Sequence, residues 1–172
     1  MDEGRFGRIR KPTDCWAPEP IGPKVPRQIV RESVYAFAAV APERGERVHR
    51  LYPKCNTAAL PLFLLDPLDA WPDVPLLLIL DGAGWHKARF LAVPERLRLW
   101  HLPPNCPKCN PRQQIWDATR QRALPNPLFA TLADVEVRLK TQLEELCADS
   151  NRLPSLTLFS LGSPPGYYNF EI

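Results

Sequence analysis

The sequence offers no candidate for a membrane-spanning helix. Its continuous apolar run at residues 74–80 is far too short to cross a bilayer. It also lacks a charged leader followed by an apolar core and a cleavage site ahead of its first motif. These absences predict a soluble cytoplasmic protein that has no membrane partner and works in a reducing compartment.

Paired cysteines and glycine are also in short supply. The five cysteines are odd in number and scattered, with one Cys-x-x-Cys pair at Cys106 and Cys109. Structural zinc needs four ligands, and no second pair stands at finger or ribbon spacing, so the sequence argues against a zinc site. Glycine numbers 8 against 21 prolines, which argues against long uninterrupted helices and favours short elements joined by stiff connections.

Neither sign of charge dominates the chain. Lys and Arg together number 22 and Asp and Glu 19, which gives a formal net charge of +3 and a pI near 8.7. This mild basicity is compatible with a polyanion partner, but many proteins with no such partner share it. Charge alone therefore leaves the partner open.

Hydrophobic periodicity predicts a single α/β domain with a mixed sheet, because a hairpin is followed by strands that alternate with helices. A length of 172 residues fits one domain. The strand at 74–80 is continuously apolar, which predicts burial on both faces, and Pro67 is expected to end or kink the helix before it. The predicted strands are 29–40, 46–52, 74–80 and 97–102, and the predicted helices are 57–71, 87–91, 111–122 and 131–147.

Two aspartates are placed where strands are predicted to stop. Asp81 ends the buried strand, and Asp2 stands where an N-terminal strand would stop. Ligand sites of α/β sheets form at the ends of central strands, and two carboxylates meeting there can hold divalent metal through oxygen ligands. The alternative is that Asp81 merely starts a turn with Gly82, as Asp-Gly pairs often do.

Short motifs follow one another along most of the chain, from Asp2 to about Leu146. They are DEGRFG at 2–7, Trp16, VYA at 34–36, LDGAGWHK at 80–87, VPE at 93–95, LPP at 102–104, Pro107, NP at 110–111 and IWD at 115–117. In this order and spacing they resemble the motifs of mariner-like bacterial insertion-sequence transposases.

This resemblance implies a ribonuclease H-like fold, a mixed central sheet with helices on both faces. It implies a catalytic domain over 1–148 followed by a C-terminal tail over 149–172. The implied reaction is phosphoryl transfer on DNA, with two Mg²⁺ or Mn²⁺ ions held by three carboxylates. Such ions, roughly 3.5–4 Å apart, stabilise the attacking and leaving oxygens. Asp2 and Asp81 fall on the first two acids of the family.

The third acid position departs from the family, which has Glu where this chain has Gln113. A neutral amide brings no charge, so metal binding and catalysis are expected to be impaired. Asp117, one helical turn further on, is the candidate to substitute. The resemblance further implies a truncated copy, because most of the strand before Asp2 and the family's N-terminal helix-turn-helix region are missing.

DNA, both transposon ends and target, is the partner that the resemblance implies, in a bacterial cytoplasm and associated with the nucleoid. The predicted DNA-binding residues are Arg5, Arg8, His86 and Lys87; a solvated face is the alternative for the arginines, and a packing role is the alternative for His86. A homo-oligomer or a mixed oligomer with a full-length transposase is the further expectation. The rival function is a non-catalytic DNA-binding remnant that regulates such a relative, and a chain that does not fold stably is a third reading.

Overall fold

The protein forms one mixed α/β layer structure. The computed structural model describes residues 1–9, 17–20, 22, 24, 26–88, 90–103, 112–123 and 128–148. Within these ranges the strands are β1 (Asp2–Ile9), β2 (Ile29–Ala41), β3 (Glu46–Tyr52), β4 (Leu76–Leu80) and β5 (Leu97–His101). The helices are α1 (Ala59–Ala70), α2 (Arg112–Ala123) and α3 (Leu132–Ala148), and a 3₁₀ turn covers Gly84–Lys87.

The strands form an antiparallel unit and a parallel unit that meet at the start of β1. The order β1-β2-β3 is antiparallel throughout, and β4 pairs with β5 in parallel. The amino nitrogen of Met1, directly before β1, donates a hydrogen bond to the carbonyl oxygen of Ile79 in β4. The beginning of β1 and the end of β4 are therefore neighbours.

Asp2 begins a strand in this structure, and the prediction that a strand stops there is wrong. Pairing with β2 starts at Asp2 opposite Ala38 and continues to Ile9 opposite Ile29. The alternation along β1 explains this, because Phe6 enters the core while Arg5 faces solvent. The residues after Asp2 therefore gain both a ladder of hydrogen bonds and a buried side chain by remaining extended.

Helices pack against both faces of the antiparallel strands, and the mixed α/β architecture confirms the predicted fold class. One apolar cluster joins Val34, Ala36 and Ala38 of β2 to α2 and α3. The other joins the intervening β2 residues Phe37 and Ala39 to α1 and to β4 and β5. Alternate residues of a single strand thus supply two cores, as the two-residue period of a strand requires.

Strand β4 is not buried on both faces, contrary to the expectation from its composition. Leu78 and Leu80 pack on the side of α1, whereas Leu77 and Ile79 are exposed. Across the register Ile79 lies opposite Trp100 of β5, which is exposed as well. No helix of the described ranges covers that side of β4 and β5, so a run that reads as continuously apolar has one open face.

Two local features near these strands differ from the sequence expectation. Pro67 does not end helix α1, which continues to Ala70, and the carbonyl oxygen of Pro67 accepts the backbone N–H of Trp71 at 3.0 Å. A helix at 87–91 does not form, and the 3₁₀ turn Gly84–Lys87 takes its place. That shorter turn bends the chain back directly after β4.

Side chains bond the backbone at the start of two helices. Asn56 Oδ1 accepts hydrogen bonds from the backbone of Ala58 and Ala59 at 3.2 and 3.0 Å. Thr131 and Asp134 form the reciprocal pair expected at the start of α3. No helix in the described ranges is long and apolar enough to cross a membrane. The Cys106–Cys109 pair and the predicted tail at 149–172 lie outside the described residues.

Candidate catalytic site

Two successive acids open strand β1 and turn to different partners. Asp2 Oδ2 accepts a hydrogen bond from Trp116 Nε1 of α2 at 3.3 Å. Glu3 Oε1 lies 2.8 Å from His86 Nε2 in the 3₁₀ turn after β4. Because successive strand residues point to opposite sides, one acid pair connects β1 both to α2 and to the end of β4.

Asp81 follows β4 directly and holds the turn that comes after it. Its Oδ1 accepts the backbone N–H of Ala83 at 3.0 Å, the short-range bond typical of an Asp that starts a turn. The carboxylate nevertheless remains open, with 48% of its side-chain surface exposed. Asp81 can therefore both start the turn and bind a metal ion, because one carboxylate oxygen bonds the turn while the group still faces solvent.

His86 lies between the two acid-bearing segments. Its side chain is fully buried, with Nε2 2.8 Å from Glu3 Oε1 and Nδ1 2.8 Å from Asp81 Oδ1. Nδ1 also lies 3.1 Å from the carbonyl oxygen of Asp81. Burial lowers the pKa of His86, but the hydrogen bond and charge of Glu3 and the contacts with Asp81 outweigh it and raise the pKa above its usual value. The ring is thereby favoured as a cation between two anions.

The thiol of Cys55 lies within the electrostatic influence of the same acids. Burial, followed by the negative charges of Glu3, Asp2 and Asp81, raises the pKa of Cys55 to about 11. All three carboxylates therefore act on one side chain, which places Asp2, Glu3 and Asp81 in a single electronegative neighbourhood. A thiol held protonated in this way is a poor nucleophile and a poor metal ligand.

Helix α2 packs closely against β1 at this point. A methyl carbon at Gly4 would lie 2.7 Å from Phe6 Cε2 and 2.9 Å from Trp116 Cδ2, so only glycine allows the approach. Gln113 lies one helical turn before Trp116 on α2, and residues three apart share a helix face. The backbone of position 113 is thereby brought to the side of α2 that contacts Asp2.

Asp117 occupies a different environment from Asp2 and Asp81. Its carboxylate is 54% exposed and accepts a hydrogen bond from Arg120 Nη1 at 3.0 Å. This i,i+3 pair is of the ordinary helix-surface kind. The structure thus gives Asp117 a partner of its own on α2, and its role as a substitute ligand stays a prediction.

The predicted DNA-binding residues separate into accessible and inaccessible ones. Arg5 and Lys87 are exposed. A methyl carbon at Gly82 would approach Lys87 Nζ to 3.1 Å, so the lysine lies over the turn that Asp81 starts. Arg8 instead donates to the carbonyl oxygen of Phe129 at 3.0 Å and to a Glu32 carboxylate oxygen at 2.7 Å.

Arg8 and His86 have partners within the protein, and DNA contact by any of the four residues stays a prediction. The guanidinium of Arg8 bonds the carbonyl oxygen of Phe129 and the carboxylate of Glu32, and so connects β1 to β2 and to the loop before α3. The ring of His86 is buried, and each of its nitrogens lies 2.8 Å from a carboxylate oxygen. Of the four candidates, Arg5 and Lys87 keep the exposure that a phosphate contact requires.

The donor set suits a hard divalent cation in part. Asp2 and Asp81 supply carboxylate oxygens in a strongly negative region, and Mg²⁺ is commonly bound by one or two carboxylates with water and substrate phosphates completing the shell. Among the described residues no group of three or more His, Cys, Asp or Glu side chains is arranged to hold a metal ion. The two aspartates therefore fit a metal as ligands but do not form a complete cage.

The whole architecture corresponds to a known fold. The solved structure titled Mos1 transposase paired-end complex with left transposon end superimposes with a TM-score of 0.62 at 16% sequence identity, covering 94% of this chain and 53% of that one. The chain therefore spans about half the length of that transposase. At this identity the likeness establishes the fold, which is ribonuclease H-like.

Sequence comparison then gives the family. The family model described as DDE superfamily endonuclease matches residues 1–136, and the chain belongs to this family. A Sinorhizobium fredii protein designated y4pE/y4sA is 33% identical over 120 residues, which cover 69% of this chain and 84% of that protein. The predicted resemblance to DDE transposases is thereby confirmed.

Sequence reasoning missed two members of the site, Glu3 and Cys55. Glu3 was visible beside Asp2 as the second residue of the DEGRFG segment, and this paired acid was the available signal. Its histidine partner is 83 residues away in sequence, so the pairing could be seen only in the fold. Cys55 carries no local signal, because it lies in a loop after β3 with no ligand-like neighbour in sequence.

Proposed function

We propose that this chain is the catalytic domain of a DNA transposase, a metal-dependent endonuclease and strand transferase whose site is weakened at Gln113. The observation that carries the proposal is the arrangement around β1. Asp2 at the start of this strand contacts α2, the helix of position 113, while Asp81 directly follows β4, whose end lies beside the start of β1. Membership of the DDE superfamily endonucleases supports the reaction class, since that family works with divalent metal ions.

The side chains divide the work of such a reaction. Asp2 and Asp81 would hold Mg²⁺ or Mn²⁺, which stabilises negative charge on a phosphodiester and activates the attacking oxygen. Lys87, exposed over the Asp81 turn, adds positive charge where a DNA phosphate would approach. Gln113 contributes at most a neutral carbonyl oxygen, so the site lacks one negative charge that helps to retain the ions.

Mn²⁺-dependent nicking of supercoiled plasmid tests this assignment. Gln113→Glu should nick faster than the unaltered chain by about 10²-fold or more, as expected when an acid of a catalytic unit is restored. Gln114→Glu is the matched control, because it adds the same charge to the next residue of the same helix and should not raise activity. Asp81→Asn in the Gln113→Glu background should abolish nicking.

The other outcomes would be equally informative. Equal nicking by the unaltered chain and by Gln113→Glu would show that Gln113 does not impair the site. Asp117 would then be the candidate for the third acid. An absence of nicking in both proteins at every Mn²⁺ concentration would refute the catalytic assignment.

The neutral residue at position 113 favours one alternative, a non-catalytic DNA-binding remnant that regulates or interferes with a full-length relative by mixed assembly on the bacterial nucleoid. DNA binding without cleavage, steeply weakened by salt, is its expected signature. Lys87→Gln should then lower the salt dependence by about one phosphate contact. Co-elution with a full-length transposase, or self-association, tests the assembly.

A further inference from the structure

The bridge between the two acid-bearing segments runs through a single ring. His86 reaches Glu3 of β1 with Nε2 and Asp81 with Nδ1, both at 2.8 Å. Nδ1 is also hydrogen-bonded to the carbonyl oxygen of Asp81 at 3.1 Å. One buried ring therefore contacts both acid-bearing segments and fixes their separation.

The two acids are unequal in their access to solvent. Only 6% of the Glu3 side chain is exposed, compared with 48% for Asp81. A metal ion that also binds DNA phosphate must reach solvent, so Asp81 is placed to coordinate it and Glu3 is not. Glu3 instead gives the buried ring the anionic partner that burial requires.

We propose that His86 is a positioning residue that fixes the carboxylate of Asp81 for metal binding, with Glu3 as its buried anchor. The proposal rests on the metal site assigned above. Asp81 follows the last residue of β4 in a half-exposed turn, where its carboxylate would otherwise rotate. The backbone N–H of Ala83 donates to Oδ1, while His86 Nδ1 is hydrogen-bonded to the Asp81 carbonyl oxygen at 3.1 Å and lies 2.8 Å from the same Oδ1. These contacts restrict that rotation, and partners of this kind are worth about 10–100-fold in metal affinity.

Two competing roles make different predictions. If His86 were only a counter-ion, it would compete with the metal, and its removal would strengthen Mn²⁺ binding. If Glu3 were itself a ligand, its loss would weaken binding independently of His86. As an anchor that acts through the ring, Glu3 should lose its influence on the metal once the ring is gone.

The experiment is a double-mutant cycle on Mn²⁺ affinity, measured by calorimetry on the full chain and repeated in the Gln113→Glu background. We expect His86→Gln to weaken Mn²⁺ binding by about 10–100-fold and Glu3→Ala to weaken it too. The double variant should bind no more weakly than His86→Gln alone, because coupled residues are non-additive. His101→Gln is the control, since His101 contacts the carbonyl oxygen of His86 at 3.2 Å without being paired with either acid, and it should bind normally.

Tighter or unchanged binding by His86→Gln would overturn the proposal, and so would additive losses in the cycle. Thermal unfolding in EDTA identifies variants that do not fold. If His86→Gln does not fold, the test rests on a folded Glu3→Ala variant. Weaker Mn²⁺ binding by that variant would support the role of Glu3 as the anchor of His86, and unchanged binding would refute it. If neither the unaltered chain nor Gln113→Glu binds Mn²⁺, the metal site itself fails, an outcome distinct from failure confined to the His86 and Glu3 variants.

Discussion

Replacing Gly4 by alanine is expected to destabilise the protein, because the new methyl carbon has no room. It would lie 2.7 Å from Phe6 Cε2 and 2.9 Å from Trp116 Cδ2, closer than real side-chain carbons approach. Overpacking a filled core costs about 1–3 kcal/mol. Restricting the unfolded chain returns roughly 0.4–1 kcal/mol. From the middle of the two ranges, the net loss in the free energy of unfolding should be about 1.3 kcal/mol.

Urea unfolding followed by tryptophan fluorescence measures this loss as a lower midpoint at an unchanged slope. Gly84→Ala is the matched control, because a methyl carbon there meets nothing within 4 Å, and it should change stability by less than about 0.5 kcal/mol. The approach of α2 to β1 also places position 113 near Asp2, so Gly4→Ala should reduce nicking by Gln113→Glu. A Gly4→Ala protein as stable as the unaltered chain would refute the packing argument.

Two further predictions concern the core and its titration. Burial, together with the charges of Arg47 and Lys140, lowers the pKa of His49 to about 4, so the folded protein favours the neutral ring; stability is complete above about pH 6.5 and falls as the pH drops from there towards 4. His49→Gln should lose less stability than the unaltered chain between pH 7.5 and 4.5 in urea titrations, and equal losses would contradict the assignment. Leu143→Ala in α3 should lower the free energy of unfolding by about 2–5 kcal/mol, whereas Val137→Ala on the exposed face of the same helix should change it little; equal effects in thermal unfolding would show that α3 does not pack as described.

Periodicity predicted most of the fold because each element carries its own pattern. Helix α3 has apolar residues at helical spacing after a Thr131–Asp134 start, and the structure has it at Leu132–Ala148. The β2–β3 hairpin follows from two β-rich runs around a turn, in which Gly45 has a φ of 65°. These elements can be predicted because their patterns involve only residues that are near one another in sequence.

Burial of β4 could not be predicted in the same way. A run of leucine and isoleucine reads identically whether one face or both are covered, because composition carries no information about the neighbouring layer. Leu77 and Ile79 are exposed while Leu78 and Leu80 are core. The position of α1 on one side of the sheet decides the difference.

The sequence by itself determined the family, the two aspartates and the departure at Gln113, since motif order and residue identity are properties of the chain. Only the tertiary structure decided what surrounds them. Glu3 and Asp81 both contact His86 because the start of β1 lies beside the end of β4, and Arg8 bonds the carbonyl oxygen of Phe129 because the loop before α3 folds onto it. Such pairings connect residues many tens of positions apart, and their energies depend on burial and distance, which no local pattern encodes.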